Sequence, residues 1–404
     1  MRIVCVGGGP AGLYFAISMK LRDNDHDITV LERNPAGVTY GWGVVFWDDM
    51  LDDLYHNDLE SAREIRDRSV VWDDQEVHVR SKQTIPIGGY GFSIGRKPLL
   101  EILAKRATDL GADVRFECEV EDLSEFAGAD LIVACDGVNS RMRHLYADQF
   151  QTNVEVGWNK YIWLGARKVF DAFTFAFEET DAGWIWFHAY RFNADTSTFI
   201  VECSPETWKG LGFNEVGSDE SIALLEEIFS PYLDGLPLIS QTRHLDKAPW
   251  LNFRRITNEK WHHNKVVLMG DAAHTTHFAI GSGTRLAIED AIALAEKLHE
   301  HKDLQDALEA YEEERGAALF MLQDAERNST RWFENVQHHI DQDAVRFASS
   351  LRYRRRGKAI PDEVPWHYYL HRTTGVIAAL RRYRRRLRRW FFSAKRELRA
   401  GRQR

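Results

Sequence analysis

The sequence predicts an α/β protein in which a Rossmann-type parallel sheet is interrupted by an antiparallel-sheet domain and followed by a basic helical extension. Three observations carry this expectation. Short β-branched runs deliver motifs at Gly7–Gly12, Asp136-Gly137 and Gly270-Asp271; alternating aromatic segments replace helical periodicity between about Val154 and Leu251; and arginines crowd the chain beyond Leu351.

Taken in order, Ile3-Val4-Cys5-Val6 is apolar, β-branched and too short for a helix. Gly7-Gly8-Gly9-Pro10-Ala11-Gly12 follows it directly and opens into the apolar helix start Leu13–Ile17, the context that a dinucleotide fingerprint requires. Glycines there let the backbone turn tightly and approach a pyrophosphate, whose charge the helix N-terminus stabilises. Ile28–Leu31 reads as the second strand. Glu32, with Arg33 beside it, stands at its end about 20 residues beyond the last glycine, where a carboxylate can accept from a ribose hydroxyl. An acid there suits an unphosphorylated adenosine ribose.

Leu131–Ala134 is another buried strand, ending in Asp136-Gly137 and then a basic helix start with Ser140 and Arg143; Asp-Gly is also a common turn dipeptide. Tyr161–Leu164, Phe173–Phe177, Trp184–Phe187 and Thr198–Glu202 read as strands of an antiparallel sheet. A sheet with one aromatic face would form a flat apolar slot for a ring, with Trp42, Trp47 and Trp186 as candidate walls, although most such residues are ordinary core. Val266–Met269 is a strand again and delivers Gly270-Asp271-Ala272-Ala273-His274, in which His274 reads as structural. Gly281 and Gly283 precede a helix from about Thr284, where Asp290 interrupts the stripe of Leu286, Leu294 and Leu298. A polar residue inside such a face often has a partner.

The extension carries 18 Lys+Arg against 3 Asp+Glu from Leu351 to Arg404, a charge of +15 beside about −24 for the rest. Val376, Leu380, Tyr383, Leu387, Trp390 and Ala394 recur at helical spacing, with arginines around them. Docking of this helix on the acidic body is favoured over peripheral membrane contact, and no nucleic-acid partner is expected. A further reading gives Arg354-Arg355-Arg356 and the helix to thioester-carrier phosphates.

At 404 residues with 44% hydrophobic content, the chain can bury a substantial core in two closely associated domains. The expected boundaries are 1–70, 95–150 and 260–350 for a discontinuous cofactor domain, 71–94 and 151–259 for the sheet domain, and 351–404 for the extension. No apolar stretch approaches bilayer-spanning length and no signal peptide precedes the first strand, so a cytoplasmic location is expected. The four cysteines show no metal-ligand spacing, and Cys5 and Cys135 fall in predicted strands, so neither metal nor disulfide is expected.

The three motifs in this order resemble the single-component FAD-dependent aromatic hydroxylases with the para-hydroxybenzoate hydroxylase fold, over about residues 1 to 350. The resemblance implies that Gly7, Gly9, Pro10, Ala11, Gly12, Glu32 and Arg33 hold the ADP part of FAD. Asp136 and Gly137 would serve FAD and the visiting nicotinamide cofactor, and Gly270 and Asp271 the ribityl chain. Arg96, in Gly95-Arg96-Lys97-Pro98, matches a helix-opening arginine that contacts the cofactor; Gly43, Val44 and Val45 join that set. Where many members have paired prolines, this chain has His277–Thr284; with Gly41–Phe46, that segment resembles the salicylyl-CoA 5-hydroxylase subgroup and, more distantly, the violacein-pathway hydroxylase.

The implied activity is hydroxylation of an aromatic ring through a flavin C4a-hydroperoxide formed with NADH or NADPH and O2, on an aryl-CoA thioester such as salicylyl-CoA. A free indole or tryptophan-derived substrate is the alternative, and a flavoprotein acting through membrane or polyanion association of its tail is a rival of another class. Gly88, Gly89, Gly91 and Gly95 lack the context of a second nucleotide fold, so NAD(P)H would visit transiently. Amides at Gly281, Gly283 and Thr284 would face the flavin edge where negative charge collects on reduction. His277 either orients or deprotonates a ring hydroxyl or is a hydrogen-bonded wall beside Phe278. Monomer and homodimer both remain open.

Overall fold

The computed structural model describes residues 1–241 and 249–356. The stripe from Val376 to Ala394 and its arginines therefore lie outside the described residues. Among the described residues, one sheet has the order His262–His263, Val266–Leu268, Leu131–Ala134, Arg2–Val6, Asp27–Leu31, Asp113–Arg115. All neighbours run parallel except the first pair. Pro10 sits at the start of the helix Pro10–Arg22, where a missing N–H costs nothing. That helix is buried from Pro10 to Lys20 because it lies against the helices Arg96–Asp109 and Gly283–Glu300. A helix enclosed on several sides needs apolar residues all round, which explains its lack of a polar face.

The second sheet has the order Leu238–Ile239, Thr152–Ala166, Ser197–Cys203, Gly183–Arg191, Phe173–Thr180, Gln75–Val79, Gln83–Pro86, and Leu251–Asn258 also pairs with Thr152–Ala166. It is antiparallel except where Phe173–Thr180 runs parallel to Gln75–Val79. Successive side chains alternate between its faces. Ile162, Ile185, Phe187, Phe199 and Val201 pack on one side with Phe229 and Tyr232. On the other side the register aligns Tyr161, Glu202, Trp186 and Phe177 in one row. Trp186 and Phe177 there meet Trp332, Phe333 and Phe347, from the helices Leu304–Glu334 and Ala344–Tyr353. Each fully buried ring of this kind contributes about 1.5–3 kcal/mol.

A small sheet of Gly43–Phe46, Gly91–Gly95 and Val70–Trp72 joins the two larger ones. Gly43 N donates to Thr198 Oγ1 at 2.9 Å, and Tyr190 Oη donates to Gly43 O at 2.9 Å. No helix of the described residues is long and apolar enough to cross a membrane.

Candidate active site

Gly7, Glu32, Asp136 and Gly270 stand just beyond the carboxyl ends of neighbouring parallel strands, where an open α/β sheet leaves its crevice. Two of the glycines in the first motif are required by the protein itself. A Cβ on Gly7, at φ +120°, would overlap the Cys135 carbonyl, and one on Gly12 would overlap the Gly7 carbonyl. Gly9 differs, because a Cβ there meets nothing within 4 Å. It begins a helix whose N-terminus has no side-chain cap, so its bareness serves an approach from outside the protein. Gly137 and Gly283 are open in the same way. This open, amide-lined cradle fits a bound dinucleotide.

The charged groups around the crevice have distinct tasks. Glu32 Oε2 accepts from Gly8 N at 2.9 Å, while Oε1 accepts from Asn34 N and Nδ2 at 2.9 and 2.6 Å. The carboxylate thus braces the glycine loop and retains lone pairs for a ribose hydroxyl. Arg33 is exposed beside it. Arg96 Nε donates to Thr39 Oγ1 at 3.1 Å. Burial lowers the Arg96 guanidinium from its usual range, and the charges of Asp271 and Glu32 oppose that shift. Asp136 Oδ2 caps the helix Arg141–Leu145 through Arg141 N at 2.7 Å, whereas its buried Oδ1 has no hydrogen-bond partner among the described residues.

Two buried arginines lock the motifs to one another. Arg143 donates to Val138 O at 2.7 Å and Ala272 O at 3.0 Å, tying the Asp-Gly segment to the Gly-Asp segment. The partners of Asp290 are His274 Nε2 at 2.7 Å, Arg315 Nε at 2.7 Å and Gly270 N at 3.1 Å. Burial alone would raise the Asp290 carboxyl, but His274 and Arg315 outweigh it and hold it low. This cluster fixes the turn at Gly270, φ +63°, that presents Asp271.

The segment His277–Gly283 connects the crevice to the large sheet. His277 Nδ1 accepts from Ala279 N at 3.2 Å, capping the turn Phe278–Ile280, so the ring proton resides on Nε2. Burial, helped by His188 and Arg354, pushes the imidazole down to about 3. A neutral ring with its only lone pair engaged donates hydrogen bonds; it does not act as a base. Arg354 Nη2 donates to Ala279 O at 2.9 Å and Arg355 Nη2 to Ile280 O at 2.8 Å. The basic cluster read as a phosphate-binding surface therefore turns these two members inward. Gly281, at φ +70°, leaves room for Trp47 and Val45, which a Cβ would approach to 2.9 and 3.0 Å. The helix Gly283–Glu300 then begins without a side-chain cap, with Thr284 in its first turn.

A small pocket lies between this segment, the sheet and the end of the helix Leu304–Glu334; Asn159, Tyr161, Glu202, Phe253, His277 and Phe278 line it together with Gly157, Thr330 and a second carboxylate, Glu334. Ring centroids lie 4.7 Å apart for Tyr161 and Phe278 and 4.9 Å apart for Phe253 and His277. Glu202 is 1% exposed, and its oxygens accept from Asn159 Nδ2 at 2.7 Å and Trp186 Nε1 at 3.3 Å. Burial pushes its carboxyl up to about 7.

Several sequence-selected residues take other places. Trp186 is core, stacked on Phe177 and Phe333 with centroids 6.1 Å away in each case, and it backs Glu202 instead of walling the pocket. Trp42 lies against Gly165, and Trp47 meets Trp72 edge-on at 6.4 Å; neither lines the pocket. Gly43 has both backbone groups committed to the large sheet, and a Cβ there would meet Phe192 at 2.5 Å, so packing accounts for it. Val44 is buried core and Val45 faces Gly281. The pocket is also lined by Asn159, Tyr161, Glu202 and Phe253, which the sequence does not mark as wall residues. Glu202 had a signal: it is an acid within the apolar strand Ser197–Cys203.

Comparison with known proteins agrees with this geometry. Residues 1–326 match the family described as FAD binding domain. The chain is 37% identical over 350 residues to a salicyloyl-CoA 5-hydroxylase from Streptomyces sp., covering 84% of this chain and 66% of that protein. It thus spans slightly less than two thirds of that relative. It is 36% identical to the 3-hydroxy-4-methyl-anthranilyl-[aryl-carrier protein] 5-monooxygenase of Streptosporangium sibiricum, covering 83% of this chain and 90% of that one. The crystal structure of a 2-methyl-3-hydroxypyridine-5-carboxylic acid oxygenase superposes with a TM-score of 0.66 at 20% identity, over 88% of this chain and 98% of the other. On the family match and the length of the shared sequence, this chain belongs to the FAD-binding monooxygenases.

Proposed function

We propose that this chain hydroxylates an aromatic ring borne on a carrier thioester, with NADH or NADPH as reductant and O2 as oxidant. The observation that carries this reading is the aromatic pocket of Tyr161, Phe253 and Phe278, set beside the turn that leads into the uncapped helix at Gly283. Bound FAD supplies the oxygen-transfer chemistry. Gly9 and the amides behind it, Glu32, Arg96 and Asp271 are the groups suited to hold that cofactor. The helix N-terminus at Gly283 offers free amides and a positive dipole end to the charge that reduction creates. Phe278 is packed ring against ring with Tyr161 and Phe253, so a planar ring enters by separating these side chains and is then shielded from water, which places the ring without taking part in bond-making.

The thioester assignment rests on the two relatives, whose names give salicyloyl-CoA and a carrier-protein-bound anthranilyl group. The test is oxidation of NADH and NADPH by the purified yellow protein against free aromatic acids, their CoA thioesters and indoles. Faster flavin reduction and ring oxygenation confined to the thioesters is the expected result. If indoles or free acids are oxygenated instead, the carrier assignment fails; if no aromatic compound is, the hydroxylase reading fails.

A further inference from the structure

The sequence points to His277 as the ionisable group nearest a reacting ring, but the hydrogen bond to its Nδ1 removes it as a proton acceptor. The pocket contains a better candidate in the sheet above. Glu202 occupies the centre of the row formed by Tyr161, Glu202 and Trp186, so its side chain shares the face of Tyr161, which also lines the pocket. Its two neighbours donate one hydrogen bond each, Asn159 Nδ2 to Oε1 and Trp186 Nε1 to Oε2, so each oxygen keeps a lone pair. The other end of Asn159 is also informative. Its Oδ1 is buried and has no hydrogen-bond partner among the described residues, although Asn159 is only 7% exposed and lines the same pocket. An unmet buried acceptor beside a carboxylate calls for a donor, which a water in the pocket supplies in the free protein and a substituent of the bound ring can replace, since leaving it unmet costs about 1–3 kcal/mol.

We propose that Glu202 and Asn159 form the recognition site for a hydroxyl or amino substituent on the substrate ring, and that Glu202 is the general base that takes the proton of a ring hydroxyl. The proposal rests on the aromatic hydroxylation argued above. In the step, the substituent's O–H bond breaks, the proton forms a new bond to a Glu202 oxygen, and the electron pair stays on the ring oxygen. That pair raises the electron density at the ortho and para carbons, which attack the oxygen supplied through FAD, O2 and NAD(P)H. A neutral aminoaryl ring needs no such transfer; its N–H donates to the same acceptors.

The electrostatics agree with the geometry. Burial keeps the Glu202 carboxyl near the pH at which a general base works best, with Glu334 raising it and the Asn159 and Trp186 bonds and Arg354 lowering it. Tyr161 faces it from the adjacent strand, with its phenol raised by burial, and His277 faces the same pocket as a neutral donor.

Glu202→Gln keeps the shape and an acceptor but cannot take the proton. Two measurements on the FAD-loaded protein test it. The first is turnover of salicyloyl-CoA: the variant should bind the thioester within about threefold of the wild type but hydroxylate about 100-fold or more slowly, with the acid limb of the kcat–pH profile lost. The second does not depend on the true substrate. The fluorine NMR shift of 2,4,6-trifluorophenol, added to each protein across the pH range, should show bound phenolate in the wild type at pH values where the variant holds only the phenol. Should the wild type fail to oxygenate any aryl thioester yet still ionise the fluorophenol through Glu202, the substrate assignment falls and the inference stands. Identical fluorine spectra for the two proteins, or hydroxylation by the variant with the wild-type pH profile, overturn it.

Discussion

At the residue scale the three glycines of the first motif separate packing from binding. Gly7 and Gly12 are bare because backbone and the Cys135 carbonyl lie against them, while Gly9 is bare towards open space. Gly12→Ala should therefore lose about 1–3 kcal/mol of stability even without cofactor. Gly9→Ala should melt with the wild-type apoprotein and yet release FAD; calorimetry on stripped protein and fluorimetric FAD titration distinguish the two, and equal losses in both assays for both variants would refute the division. Buried histidines give a second prediction. His188 and His277 are each held near 3 by burial, against an ordinary 6.5, so the folded state refuses protons that the unfolded state accepts. Their contribution to stability is complete above about pH 6.5 and is lost progressively as pH falls towards 3. Glu202 acts in the opposite sense: its raised carboxyl stabilises fully below about 4.5 and loses that contribution as pH rises through about 7. Melting temperature followed against pH should therefore show Glu202→Gln flattening the neutral limb while leaving the acid limb intact. A spacing such as Gly-x-Gly-x-x-Gly is legible in sequence because a single local turn requires it. The tautomer of His277 was not legible, since it depends on the backbone amide of Ala279 being turned towards the ring.

At the scale of elements, strands announce themselves more clearly than pockets do. The aromatic alternation of residues 154–251 identified the strands, but the wall of the pocket depends on which strand lies beside which. Tyr161 and Glu202 become neighbours only through the pairing of Thr152–Ala166 with Ser197–Cys203, and Phe253 arrives on a strand that the alternation did not mark. Tryptophan content was a poor guide, because the largest side chain in a strand is more readily absorbed by the core, as Trp186 was. Asp290 was a better one: a charge in an apolar helical stripe implied a partner, and the structure supplies His274 and Arg315. Asp290→Ala leaves Arg315 without its closest carboxylate and releases the amide of Gly270, so it should cost about 3–5 kcal/mol. The same change should weaken FAD retention more than Asp271→Asn does, because it frees the whole turn that presents Asp271, whereas Asp271→Asn alters a single side chain on it. Denaturant melts and FAD dissociation constants measured on both variants check this, and tighter retention by Asp290→Ala than by Asp271→Asn would contradict it.

At the scale of the whole molecule, the crevice and the pocket belong to different sheets, and the segment His277–Gly283 is what holds them in one register. That segment is fixed from the far end of the described chain. Arg354 donates to Ala279 O, Leu351 O and Ser329 Oγ, and Arg355 donates to Ile280 O, so the turn is clasped on two successive carbonyls. The cost of burying these charges is visible in Arg354, which burial and Arg355 push down to about 9. Their rings of contact, Phe175 and Phe333 at 5.8 and 5.4 Å for Arg354 and Trp47 at 5.9 Å for Arg355, offset part of it. Sequence could show only that arginines are dense beyond Leu351; which of them point inward depends on the path of the chain after the helix Ala344–Tyr353. Two truncations separate the clasp from the arginine-rich extension beyond it. Ending the chain after Arg356 keeps both arginines and should leave FAD affinity within about threefold of the full chain, since the hydrogen bonds of Arg354 and Arg355 to the turn are retained. Ending it after Tyr353 removes four side-chain donations and exposes the carbonyls of Ala279 and Ile280, so FAD should bind at least about tenfold more weakly, and the melting temperature should fall by several degrees. If both truncations retain FAD equally, the arginines are passengers, and the hydrogen bond within the turn to His277 and the packing of Val45 and Trp47 against Gly281 suffice to hold it.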